Sequence, residues 1–262
     1  MNSSEKGNGS NGTDSKPSGG PKGAISDSLA KPLPKRFYND VSVSDGAFFQ
    51  ILLDGRVVRT PKKRALVLPT RKLANAVAAE WAAQKDVIDP STMPMTRFSN
   101  TAIDAVADAA NEVAADIVAY AGRDLLCYRA ETPAELAIRQ AKAWDPVVDW
   151  AREALGAHFT VVHGVMPVDQ PVLALQRIAK ALEPHEPFRL TALHVMTTLT
   201  GSAILALAQA RGFLSSEQAW NAAHVDEDYQ ISVWGADYEA AEKRKQRQKD
   251  FDAATRLIAT LT

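Results

Sequence analysis

The chain is 262 residues long, enough for two modest domains or one domain with a long tail. Its 46% hydrophobic content allows a sizeable core, and 30 basic residues against 31 acidic ones leave a formal charge of −1. That balance argues against nucleic acid as the main partner, which needs a basic excess or a basic face, and a single cysteine, Cys127, excludes an internal disulfide.

Residues 1–33 are dominated by Ser, Gly, Asn, Lys and Pro, which bury too little apolar surface to offset chain entropy, so a disordered tail is expected there. The segment has no apolar core of a secretory signal. It is a poor mitochondrial presequence as well, with Glu5, Asp14 and Asp27 and no arginine before Arg36.

From Phe37 the pattern turns to short β-rich runs. Phe37 to Val43 and Phe48 to Leu53 flank Asp45-Gly46. Asp54-Gly55 leads into Arg56 to Arg59, and Thr60-Pro61-Lys62-Lys63 leads into Ala65 to Leu68. Asp-Gly tolerates the positive φ of tight hairpins, so a small antiparallel meander is expected. A sheet this thin needs a cover. Thr70 to Gln84 supplies one, with Thr70 as cap and Leu73, Val77 and Trp81 on one stripe. Residues 34–95 therefore read as a β-rich α+β domain.

Residues 96–262 read as an all-α domain. Ile103, Val106, Ala110, Val113, Ile117 and Tyr120 recur at helical spacing up to Gly122, expected as the residue just past the helix end. Thr132-Pro133-Ala134-Glu135 has the pattern of a capping box, and Asp145-Pro146 is expected to interrupt the helix it opens. Asp169 precedes the stripe Val172, Leu175, Ile178 and Leu182. Phe188 to Arg211 is apolar nearly all round, which predicts a buried helix, since its hydroxyls, His194 and Gln209 break any clean membrane span. Ser215-Ser216-Glu217-Gln218 is a second capping box whose helix is expected to reach Trp234 before Gly235. Asp237 caps a last helix to Leu261. Roughly six helices after one small sheet make an α+β layout: a meander with a covering helix, then a helical bundle.

Motifs for catalysis are absent: no phosphate-binding loop, no dinucleotide fingerprint, no nucleophile elbow, and no paired histidines at helical spacing. Cys127 lies in an apolar run and reads as core packing, as does His194. The one acidic constellation is Asp226-Glu227-Asp228 with Asp237 and Glu239. As chemistry it could hold a divalent cation, giving a metal-dependent hydrolase through Asp226, Asp237 and Glu239 as the alternative reading. As structure, Asp237 and Glu239 sit in a first helical turn, where the dipole favours anions. On the expected long helix Ala219, Ala222, Asp226, Gln230 and Val233 share a stripe. Buried, Asp226 would need a partner; exposed, the stripe is a docking face. The basic run Lys243 to Lys249 has no interleaved aromatics and reads as a solvated helix face.

Several short stretches together resemble one family. They are Lys35-Arg36-Phe37-Tyr38, Leu53-Asp54-Gly55-Arg56 with Thr60-Pro61, Glu80-Trp81, Asn100-Thr101-Ala102-Ile103-Asp104, and Leu126-Cys127-Tyr128-Arg129. Further on come Trp144-Asp145-Pro146, Asp226-Glu227-Asp228-Tyr229-Gln230, Trp234-Gly235 and Asp237-Tyr238-Glu239. Covering almost the whole chain after Leu33, they resemble the ATP12 family, assembly chaperones of the F1 sector of ATP synthase. The resemblance implies a non-enzymatic chaperone, without cofactor or metal, that binds the unassembled F1 α subunit and covers its β-facing surface until assembly. It implies Glu239 as the functional acidic residue with Asp237 beside it, and Trp81 as a residue of structural integrity. Asp226, Gln230 and Trp234 complete the expected partner-binding set, while Asn100, Asp104 and Trp144 are expected to be structural. The expected protein is monomeric when free, takes no nucleic acid, and does not insert stably in membranes. The tail departs from mitochondrial members, which favours the bacterial cytoplasm over the mitochondrial matrix.

Overall fold

The computed structural model describes residues 32–46, 48–164 and 166–262, so all but the end of the expected tail lies outside the described residues. Lys35–Thr262 is one compact unit.

Four strands form the sheet: β1 (Val41–Val43), β2 (Phe49–Leu53), β3 (Arg56–Val57) and β4 (Val67–Leu68). β1 and β3 flank β2 as a meander, with Val41 opposite Leu53 and Leu53 opposite Arg56. β4 turns back to pair with the first residues of β2. Asp54 and Gly55 both take positive φ, 48° and 77°, as the tight hairpin requires. The first strand is shorter than its β-rich run because the residues before it spend their backbone groups elsewhere. Arg36 N–H donates to Asp86 O, and the N–H groups of Asn39 and Asp40 donate to the Asp54 carboxylate. Helix α1 (Arg71–Ala82) covers the sheet as expected, burying Leu73, Ala74 and Val77. Thr70 Oγ1 accepts from Leu73 N–H at its start.

Two carboxylates fasten this part to the helices that follow. Glu80 of α1 accepts from the N–H groups of Met95 and Thr96, 2.7 and 2.8 Å away, so it caps α2 (Pro94–Asp104) from outside. At the other end of α2, Asp104 accepts from Thr60 Oγ1 at 2.6 Å and Lys62 N–H at 2.9 Å. The turn between β3 and β4 is thereby pinned to a helix end.

The rest of the chain holds α3 (Ala110–Ala121), α4 (Ala134–Leu155), α5 (Val172–Ala181), α6 (Pro187–Thr200), α7 (Ala203–Ala210), α8 (Ser216–Ala223), α9 (Val225–Trp234) and α10 (Tyr238–Thr260). A two-stranded parallel pair that the pattern did not reveal, β5 (Tyr128–Arg129) and β6 (Val162–His163), sits beside α4. The apolar α7 buries every residue from Ala203 to Ala208 at the centre of the bundle. α10 returns to the beginning: Thr260 O accepts from Thr70 Oγ1 and Ala259 O from Lys72 Nζ.

Several boundaries differ from expectation. The run through Ile103 and Val106 is broken at Ala105, between α2 and α3, where no glycine or proline marks the stop. Gly122 ends α3 in the right-handed region, φ −65°, rather than the left-handed one. Thr132 and Glu135 do not form a capping box; Pro133 stands at the N-cap without a side-chain bond. α4 runs straight through Pro146, because that proline and Lys142, whose carbonyl it leaves unpaired, are both on the exposed side while Trp144, Val147 and Ala151 anchor the inner face. Asp169 caps nothing, since α5 starts after Pro171. The apolar helix from Phe188 is two helices, parted by Gly201 (φ 70°) and restarted by the Ser202 cap. The helix from Ser215 also splits, at His224.

Candidate functional site

The capping box at Ser215 and Gln218 forms as expected and starts α8. The helix stops at His224 because that ring turns inward. It lies 4.0 Å from the Trp220 ring, with Nδ1 2.8 Å from Trp220 O, and burial depresses its pKa. The stripe from Ala219 to Val233 is therefore not continuous. Ala219 and Ala222 are buried on α8, whereas α9 buries no residue at all.

α9 is held by polar and π contacts at its first two turns. Asp226 Oδ1 accepts from Gln140 Nε2 of α4 at 2.7 Å, and the Arg139 guanidinium lies 5.3 Å from the Tyr229 ring. On the opposite side Asp228 pairs with Arg244 of α10 at 2.5 Å. Asp226 thus has the partner its half-buried position requires, and it borders a cleft of about 630 Å³ shared with Arg129, Glu131, His163 and Met166. Gln230, one turn on, is exposed.

Beyond Gln230 the chain leaves the body. Val233, Trp234 and Tyr238 are 51, 83 and 82% exposed, and they surround the corner at Gly235, φ 86°. Asp237 caps α10 by accepting from Ala240 N–H at 2.7 Å. Glu239 is not the cap: it lies exposed in the first turn, 2.6 Å from Lys243 Nζ. The first three turns of α10 stay at the surface, and burial begins at Phe251. In the basic run, Arg244 is committed to Asp228 and Arg247 donates to Leu199 O. The corner is an apolar tip with carboxylates close behind it.

Asp226 bonds to Gln140 of α4, Asp237 caps α10 and Glu239 pairs with Lys243, so each of the three has its own separate partner. Among the described residues no group of three or more His, Cys, Asp or Glu side chains could hold a metal ion.

The remaining sequence-derived residues are inside the body. Trp144 is fully buried, its Nε1 donating to Ala222 O at 2.6 Å. Trp81 is half-buried against Tyr38, whose hydroxyl donates to Trp81 O. Asn100 has a buried Oδ1 without a partner among the described residues. Burial works on the Asp104 carboxyl too, but the Thr60 hydroxyl, the Lys62 N–H and the Arg64 and Lys62 charges outweigh it and hold its pKa below the usual range.

Two interior polar residues were not singled out from sequence. Asp124 is fully buried and accepts from Leu126 N–H and Ile204 N–H, both 3.1 Å away, joining a 3₁₀ turn (Leu125–Cys127) to the start of α7. Burial pushes its carboxyl up to about 6, opposed by these donors and by Ser202. Arg129 stacks 5.1 Å over Trp144, donates Nε to Leu126 O, and brings NH2 within 2.9 Å of Asp145 Oδ1. The one signal for Asp124 is its place before an apolar 3₁₀ run, where an aspartate is a common cap. Cys127 is buried, and its thiol is pushed up to about 12 by burial and the Asp124 charge.

Among the described residues no helix is long and apolar enough to cross a membrane. The family model described as ATP12 chaperone protein matches residues 35–152. Three crystal-structure chains are similar over most of their length. The Atu1473 protein of Agrobacterium tumefaciens is 50% identical, with a TM-score of 0.86 over 89% of this chain and 88% of that one. Atp12 from Paracoccus denitrificans is 41% identical, with a TM-score of 0.84 over 87% of this chain and 99% of its own. A mutant form of the same protein is 40% identical, with a TM-score of 0.84 over 87 and 98%.

Proposed function

We infer the function from one premise: the chain belongs to the ATP12 chaperone family. It holds the unassembled α subunit of an F1-type ATPase and covers the β-facing surface of that subunit until assembly. It works by binding, as a monomer when free, without cofactor or catalysis. An unassembled ring subunit exposes an apolar interface that aggregates unless covered.

The observation that carries this reading is the α9–α10 corner. A helix with no buried residue ends in Trp234, 83% exposed, beside Val233 and Tyr238. Exposed aromatics grouped at the end of an element with no fully buried residue mark a contact surface better than isolated ones do. Asp237 and Glu239 stand behind the tip and orient the encounter with basic groups of the partner. Asp226 and Gln230 continue the surface along α9. Such a holder must let go: each 1.4 kcal/mol of excess affinity multiplies the bound lifetime about tenfold at constant on-rate.

The test is suppression of light scattering by isolated F1 α on dilution from denaturant. The parent chain suppresses it, and Trp234→Ser and Glu239→Lys lose at least half of that effect while melting as the parent does. Full suppression by both variants refutes the corner as the contact. No suppression by the parent refutes the α-subunit assignment.

A further inference from the structure

A second surface lies on the sheet. A cleft of about 550 Å³ runs along the outer side of β3 and is walled by Phe37, Tyr38 and Trp81. These rings form a row, Phe37 on Tyr38 at 5.4 Å and Tyr38 on Trp81 at 5.7 Å, both edge-on. Phe37 is 72% exposed at the mouth, and Val57 is exposed on the strand itself.

Three observations concern what the cleft can take. The first is backbone. Val58 N–H donates to Ile51 O at 2.9 Å, and successive peptide groups of a strand point to opposite sides, so Val57 N–H and C=O face away from β2. They form an open strand edge, the template to which an extended chain adds. The second is a ring: Trp81 lines the cleft, with its indole N–H buried and without an acceptor among the described residues. The third is charge. Arg56 and Arg59 flank the cleft and, among the described residues, neither has a carboxylate within ion-pair distance. The one acid in the lining, Asp54, accepts from the N–H groups of Asn39 and Asp40. The rim is therefore net positive around an apolar floor.

We propose that this cleft binds an extended peptide segment carrying acidic and apolar side chains, paired through its backbone to the outer edge of β3. In an extended chain alternate side chains share a face. Arg56 and Arg59, three residues apart, therefore lie on opposite faces of the edge, and acidic side chains on either face of the added strand meet a guanidinium. This site is on the sheet and independent of the α9–α10 corner, so it stands or falls separately from the contact proposed above.

The experiment uses the full chain, labelled with ¹⁵N, and two blocked peptides, acetyl-Val-Glu-Val-Glu-Val-amide and its Lys-for-Glu counterpart. The glutamate peptide is expected to shift the Val57 amide and the Trp81 indole N–H. The lysine peptide is expected to bind at least about tenfold more weakly, and Arg56→Glu to reverse that order with an unchanged melt. Trp234→Ser leaves the titration as it is in the parent. Absence of shifts at millimolar peptide, or equal response to both peptides, overturns the proposal. Cross-peaks from Val57 to residues 1–31 in the free protein overturn it as well, by showing that the chain fills its own cleft.

Discussion

α7 and α9 lie some fifteen residues apart in the chain and differ in nearly every physical respect. α7 is apolar on all sides and buries Ala203 to Ala208, with its start received by a buried carboxylate, Asp124. α9 has no fully buried residue: Val225 packs partly buried at its start, and the rest is held by Asp226 to Gln140, Asp228 to Arg244, and Tyr229 beside Arg139. In the first case the apolar surface is removed from water and the helix start is bonded, by Ser202 to Leu205 N–H and by Asp124 to Ile204 N–H. In the second polar groups do most of the holding, and the apolar surface of Val233, Trp234 and Tyr238 is left in solvent. Burial of a large side chain stabilises by roughly 1.5–3 kcal/mol, whereas an exposed ion pair contributes about 0–1. The contrast separates a helix that makes the fold from one that the fold merely carries.

The largest effect should come from the interior side of that contrast. Trp144→Ala empties the space between α4, α7 and α8 and leaves Ala222 O unpaired, so a loss of about 3–5 kcal/mol is expected in urea denaturation. A loss below about 1 kcal/mol would show that the bundle relaxes into the cavity and that the interior is not close-packed.

Next is Asp124→Ala, which orphans two backbone donors in a dry place, at an expected cost of about 2–4 kcal/mol. Its pH dependence sharpens the point. The folded carboxyl is raised from 3.8 to about 6, so its contribution is fully present below pH 3.8 and is lost as pH rises through 6. The deficit of the alanine variant should therefore be larger at pH 5 than at pH 7. A deficit that shrinks on acidification would reverse the assigned shift.

Asp226→Ala tests the junction between the two regions. Removing the carboxylate leaves Gln140 Nε2 without its partner, and about 1–2 kcal/mol is expected, with faster amide exchange confined to α9. Exchange that quickens across α7 too would mean that the two helices are not separable.

The smallest effect on stability should be at the corner. Trp234→Ser is expected within about 0.5 kcal/mol of the parent in the same denaturation series. A substantial loss would mean that this indole packs in solution and that the corner is not free surface.

The helix boundaries show which local rules survive packing. The capping boxes at Ser215 and at Thr132 have the same pattern, but only the first forms, because Pro133 takes the N-cap place of the second and has no side-chain acceptor. Pro146 was expected to break α4 and does not, since the bond it forfeits faces water and the inner face is anchored by Trp144. Gly201-Ser202 is a stop followed by a start, legible once each residue is taken in its own role. His224 carried no such mark; it ends α8 because a ring with one good inward partner outweighs one more helical turn. Of the candidate site, the capping role of Asp237 could be read from its spacing. The separate partners of Asp226 and Glu239 could not, because a wheel drawn through His224 assumes a helix that stops there.

By itself the sequence determined the α+β class, the two Asp-Gly steps, the cover of the sheet by α1 and the helical remainder, since these rest on local φ preferences and on hydrophobic period. Only the tertiary structure decided where the long apolar runs divide, that Asp104 and Glu80 bolt α2 to the sheet side, that Asp124 serves α7 from eighty residues away, and that Trp234 points into water. For Asp104, Glu80 and Asp124 the physical reason is common: a buried or half-buried polar group is placed by the partner that satisfies it, and that partner is distant in sequence.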